Sequence, residues 1–160
     1  MLEAYRQLLE KSKRNKKSVR RKVARLRQMR KGNVDHMIHE LHFEAFEKID
    51  CLSCANCCKT TGPLFTKSDI DRLAGHFKLT GQEFIAQYLR LDEDNDYVLQ
   101  TLPCPFLGSD NYCSVYEVRP KACREYPHTD RVNQPGILKL SEKNSNICPA
   151  VAYIFENIEL

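Results

Sequence analysis

The chain has 160 residues, 42% of them hydrophobic, and carries 25 Lys and Arg against 21 Asp and Glu, a net charge of +4. That length fits one domain with an extension and can bury a moderate core. No apolar run approaches the ~18 residues of a membrane span, and Met1 to Lys31 lacks the apolar block of an export signal, so a cytoplasmic protein is expected.

In a reducing compartment the eight cysteines point to metal ligation or redox chemistry; a trimmed export signal would restore a disulfide scaffold as the plain alternative. The charge is unevenly divided. Residues 1–50 carry +7 and residues 51–160 carry −3, so a basic extension precedes an acidic part.

From Leu2 to about Arg30 the apolar residues Leu2, Tyr5, Leu9, Val19, Val23 and Leu26 recur at three- and four-residue steps, which predicts one helix ending at Gly32-Asn33. Residues 11–31 hold twelve Lys and Arg and no acid. Such a cationic face fits nucleic acid, a ribosome or an anionic membrane. The bland reading is a solvated helix docking a thin apolar seam, and no aromatics are interleaved for base stacking.

Asp35 is the expected cap of a second helix to about Lys48, with Met37, Ile38, Leu41, Ala45 and Phe46 as its buried stripe. His36, His39 and His42 lie on it at three-residue steps. Each step rotates about 300°, which spreads the rings around the helix and favours ordinary histidines over a metal site.

Four thiols follow in eight residues, Cys51, Cys54, Cys57 and Cys58. Two-residue gaps let thiolates on a tight turn converge on one centre. Thr66 with Asp69 and Thr80 with Glu83 are capping-box starts of a short helix pair. Asp92 to Asp96 is an acidic turn lacking the glycine and terminal glutamate of a calcium loop.

Tyr97 to Leu102 reads as a strand, and Tyr112 to Tyr116 as another, a hairpin with Cys104 and Cys113 near its ends. Cys123 lies between Pro120 and Pro127, Ile137 to Leu140 suggests a last strand, and Cys148-Pro149 opens a C-terminal helix. The expected fold is α+β: a small, mainly helical metal-binding domain over 50–160 with short hairpin strands, behind a basic helical extension over 1–49.

The blocks Cys51-x2-Cys54-x2-Cys57-Cys58, Cys104-Pro105-Phe106-Leu107, Cys113-Ser114-Val115-Tyr116-Glu117-Val118-Arg119-Pro120, Cys123-Arg124-Glu125-Tyr126-Pro127 and Cys148-Pro149 resemble the putative zinc- or iron-chelating domain, the CxxCxxCC or YkgJ-like cysteine-cluster family. The resemblance covers about residues 50–150. It implies a bacterial cytosolic protein that chelates zinc or an iron-sulfur cluster. A similar cluster accompanies methyltransferase activity in flagellin lysine methylases, but no S-adenosylmethionine signature occurs here, so that activity is not carried over.

All eight cysteines, Cys51, Cys54, Cys57, Cys58, Cys104, Cys113, Cys123 and Cys148, are expected to ligate metal. Adjacent Cys57 and Cys58 are expected to diverge, which divides the set into Cys51, Cys54, Cys57 and Cys148 around one centre and Cys58, Cys104, Cys113 and Cys123 around another. Ferredoxin-like spacing favours a 4Fe-4S cluster; structural zinc is the competitor. Phe106, Tyr112, Tyr116 and Tyr126 are expected to shield the centre, and Lys59, Arg119, Lys121 and Arg124 to offset its charge.

Two functions compete. One is a redox or electron-transfer protein with a redox partner the sequence does not name. The other is a zinc-stabilised module that applies residues 11–31 to nucleic acid or a ribosome. His128, Tyr126 and Glu125 beside Cys123 are the nearest polar candidates for an enzyme, and no nucleophile-base-orienter set can be read from them.

Overall fold

The computed structural model describes residues 1–160. Its elements are α1 Glu3–Arg14, α2 Lys16–Leu26, α3 Lys31–Lys48, α4 Asn56–Thr60, β1 Leu64–Phe65, α5 Lys67–Phe77, α6 Gly81–Tyr88, β2 Leu89–Leu91, β3 Tyr97–Leu99, α7 Lys121–Glu125, α8 Leu138–Asn144 and α9 Pro149–Asn157. Short 3-10 turns cover Tyr116–Val118 and Gln134–Ile137. The architecture is the mainly helical α+β one expected, with a single antiparallel sheet in the order β1-β3-β2. No helix is long and apolar enough to cross a membrane. The chain forms two compact units, Met1–Cys54 with Pro127–Leu160, and Ala55–Tyr126.

The first unit is assembled around α9. Ala150, Val151, Ala152, Ile154 and Phe155 are all buried, so this helix is apolar on nearly every side and must be covered by others. The helices α1, α2, α3 and α8 all pack on it. They bring Tyr5 and Leu9, then Val19, Val23 and Leu26, then Val34, Ile38 and Ala45.

Four expectations fail here. The single helix over 2–30 breaks at Asn15, whose φ of −91° and ψ of 20° leave the helical region. The seam 5, 9, 12, 19, 23, 26 would run through position 16, where the residue is Lys16. Breaking the helix there leaves that lysine exposed. Gly32-Asn33 does not stop a helix but lies in the first turn of α3, where the unpaired amides of a helix start make glycine cheap.

Asp35 caps nothing, since α3 begins four residues earlier. Its carboxylate accepts the backbone N–H groups of Asn133 at 2.9 Å and Gln134 at 2.7 Å, tying down the turn before α8. The strand expected over 137–140 is the end of that turn and the start of α8. Leu138, Ser141 and Asn144 are buried at three-residue steps, the spacing of a helix; a four-residue apolar run could not distinguish the two.

The second unit has its core in Phe65, Ile70, Leu73, Ala74, Phe84, Leu89, Leu99, Phe106 and Val115. Phe84 and Phe106 lie nearly parallel, with centroids 6.3 Å apart. Both capping boxes form: Thr66 and Thr80 accept N–H from Asp69 and Glu83, whose carboxylates reach back.

In the sheet Phe65 faces Tyr97 and Leu89 faces Leu99. Asp92 turns the β2–β3 hairpin, its carboxylate accepting N–H from Asp94 and Asp96. The strand expected over Tyr112 to Tyr116 is reduced to one bridge, Leu107 with Cys113, followed by a 3-10 turn.

Candidate metal centre

In the first unit, Asp50 shapes the loop that carries Cys51 and Cys54. Its carboxylate accepts N–H from Leu52 at 3.1 Å and Ser53 at 3.0 Å, and the Ser53 hydroxyl at 2.8 Å. The Cys54 amide then closes onto the Cys51 carbonyl at 3.1 Å. Cys51 is exposed and Cys54 buried.

Cys148 is the N-cap of α9, and its own amide bonds Asn144 O at 2.8 Å. A helix start favours a thiolate, and N–H groups of Val151 and Ala150 do point at this sulfur. Burial outweighs them. It drives the Cys148 thiol up to about 12, with the neighbouring Cys51 and Cys54 adding to the rise.

The other five thiols belong to the second unit. Cys57 and Cys58 ride on α4, which starts from Ala55 in the left-handed region at φ 49°. Their sulfurs do not diverge as expected but stand 3.9 Å apart. The edge of a four-thiolate zinc tetrahedron, worked from the ~2.3 Å Zn–S bond, is about 3.8 Å. The contact with Cys57 is the main reason Cys58 falls to about 7, with Lys59 helping and burial opposing.

The Cys104 amide donates to Cys58 O at 2.8 Å, which sets Cys104 alongside α4. Proline at 105 carries no N–H, so the first amides that can reach the Cys104 sulfur are those of Phe106 and Leu107, and both do. The Val115 amide serves Cys113 in the same way.

Burial still wins at both sulfurs, lifting Cys104 to about 11 and raising Cys113. Cys123, on α7, is pushed up to about 12 by burial and then by Cys58, Cys104 and Cys113, against the pull of Arg119. Four thiols therefore sense one another's charge inside this unit.

Asp69 and Arg72 of α5 place α7, a role with no local signal in the sequence. Asp69, 1% exposed, accepts the Lys121 N–H at 3.0 Å. Arg72 donates to the carbonyls of Val118 at 3.1 Å and Arg119 at 2.9 Å. Together they fix the segment two residues before Cys123.

Of the expected shield, Phe106 is buried in the core, but Tyr112 and Tyr116 are 60% and 55% exposed, and the Tyr116 ring stacks under the Arg119 guanidinium at 3.8 Å. Lys59 and Arg119 act on the thiols as expected, whereas Lys121 pairs with Glu125 at 3.6 Å.

The three histidines of α3 each have a separate partner: His36 with Glu40, His39 with Arg131 O, and His42 with Thr129. They form no site. Across the structure no three Cys, His, Asp or Glu side chains are grouped so as to hold a metal ion.

All eight cysteines are thiols rather than disulfide halves. Their chemistry suits a thiolate-bound centre, because backbone N–H groups already aim at three sulfurs and a bound cation would offset the burial that keeps them protonated.

Among family models, residues 50–149 match CxxCxxCC, described as a putative zinc- or iron-chelating domain. The chain belongs to that family. All eight cysteines fall inside the matched residues, and zinc or iron chelation is what the family's description gives for that domain. No curated protein and no solved structure matches the chain.

Proposed function

We propose that this member of the CxxCxxCC family is a cytoplasmic iron-sulfur protein that transfers electrons, with all eight cysteines as ligands. In the Ala55–Tyr126 unit, Cys58, Cys104, Cys113 and Cys123 hold a 4Fe-4S cluster. Cys51, Cys54 and Cys148 supply the thiolates of the other unit, and Cys57 stands beside Cys58 as the eighth.

The observation that carries the reading is the spacing of the second unit's thiols. The Cys104 N–H rests on the Cys58 carbonyl at 2.8 Å, and Cys58, Cys104 and Cys113 all add to the raised pKa of Cys123. Four thiolates sharing one anionic centre account for that mutual influence, and the ferredoxin-like spacing of Cys51, Cys54 and Cys57 favours a cluster over a single zinc.

A cluster supplies reversible one-electron chemistry when bound. The chain's own contributions are the N–H groups of Phe106, Leu107 and Val115 directed at ligand sulfurs and the positive charges of Lys59 and Arg119. Both stabilise negative charge on the centre and favour its reduced form.

The test is anaerobic purification of the full chain, followed by iron and acid-labile sulfide analysis, visible spectroscopy and a redox titration. Iron and sulfide in equal amounts with a reversible wave are expected. A colourless protein holding stoichiometric zinc and silent to reductant would overturn the reading.

A further inference from the structure

The twelve Lys and Arg of residues 11–31 divide into two sets in the folded first unit. Three are used internally: Lys11 on Glu156, Arg20 on Glu142 at 3.0 Å, and Lys22 on the carbonyls of Phe155 at 2.8 Å and Glu156 at 3.1 Å. The remaining nine, Lys13, Arg14, Lys16, Lys17, Arg21, Arg25, Arg27, Arg30 and Lys31, are exposed and have neither a side-chain hydrogen bond nor an ion pair. No acidic residue lies among them.

We propose that this outer face of α1, α2 and the turn after α2 binds the phosphodiester backbone of a nucleic acid. The charge is spread along two helices and not gathered in a pocket, so it matches an extended polyanion and not a small one. Lys17, Arg21 and Arg25 form a row down α2 with successive charges about 6 Å apart along the axis, four residues at ~1.5 Å each. A duplex offers one phosphate per ~1.7 Å, dense enough to meet every member of such a row.

The structure separates this partner from two others. A helix lying on a membrane must keep an apolar face for the lipid, and here Val19, Val23 and Leu26 are buried in the unit's own core. A protein partner would be expected to find aromatic or aliphatic anchors between the charges, and from Lys13 to Lys31 the only fully exposed apolar side chain is Ala24. What remains is charge alone, which supplies essentially all of sequence-independent nucleic-acid binding. With no aromatic on this face, the bases are not read by stacking.

The test is fluorescence anisotropy with the full chain and short labelled oligonucleotides, single-stranded RNA, duplex RNA and duplex DNA, each over a salt series. Phosphatidylserine vesicles are assayed in parallel. Binding should weaken steeply with salt, and the triple variant Lys17→Gln, Arg21→Gln, Arg25→Gln should bind at least about 10-fold more weakly.

The slope of log K against log salt should also become shallower by about 2 to 3 units, from ~0.7 to 0.9 per phosphate contact. Lys139→Gln with Lys143→Gln, exposed cations on the neighbouring α8, should weaken binding and flatten the slope less than the triple variant does; an equal loss would also count against the α2 row. The three arms rank RNA against DNA by affinity. Absence of oligonucleotide binding at low salt, an unchanged slope in the triple variant, or binding confined to the vesicles would overturn the proposal.

Discussion

Replacing Asp69 by Asn should cost about 2 to 3 kcal/mol at neutral pH, and the cost should fade in acid. The buried carboxylate accepts the Thr66 hydroxyl at 2.7 Å, the Thr66 N–H at 2.9 Å, Arg72 Nη2 at 2.6 Å and the Lys121 N–H at 3.0 Å. Burial alone would raise its pKa, but those donors outweigh burial and hold it at about 2 against an ordinary 3.8.

A shift of that size contributes about 2 kcal/mol of stability. Because the folded-state pKa is the lower one, the contribution is complete above pH ~4, falls to about half near pH 3, and is gone below pH ~2. Asn cannot ionise and brings an amide that opposes those donors, so the variant lacks the contribution at every pH.

Urea unfolding of both proteins, followed by circular dichroism from pH 7 to pH 3, measures the difference. Both proteins are stripped of metal with a chelator beforehand, so that metal loss in acid does not enter the comparison. A gap that stays constant across that range, or one below about 0.5 kcal/mol at pH 7, would refute the reasoning.

Phe84→Ala removes a fully buried ring from the aromatic stack of the second unit and should cost about 3 to 5 kcal/mol in the same unfolding assay. Gly62→Ala puts a methyl group 3.3 Å from both Leu99 and Leu102 at a φ of +68°; a loss of about 1 to 3 kcal/mol is expected by thermal or urea melting. Lys78→Gly should stabilise by up to about 1 kcal/mol, because Lys78 ends α5 in the left-handed region at φ 57°. Chelation of the metal should lower the unfolding midpoint of the wild type, and Cys123→Ser should reduce bound metal per chain on elemental analysis.

The local signals were readable from sequence alone, and the long-range ones were not. Thr66 with Asp69 and Thr80 with Glu83 announce helix starts because a capping box is settled within four residues. The cysteine blocks announce their chemistry by residue type and spacing. How the thiols associate depends on carbonyl and amide contacts made by the fold, such as Cys104 N–H on Cys58 O.

Asp35 had the look of a cap, yet its carboxylate is used by residues almost a hundred positions later. Asp69 was legible as a capping residue, but its second task at Lys121 lies far along the chain. The break at Asn15 follows from Lys16 falling in a seam, a conflict that shows only once the seam has something to pack against. The amides serving Cys104 had one usable clue, the proline that leaves positions 106 and 107 as the nearest donors.

The central place of α9 imposes an order on folding during synthesis. The seam residues Val19, Val23 and Leu26 are polymerised some 130 positions before Val151, Ile154 and Phe155 of α9, the helix on which α2 packs. At translation speeds of roughly 5 to 20 residues per second, they wait about 6 to 26 s for that partner. Through that interval the nascent polypeptide displays an oily strip beside a dense run of cations.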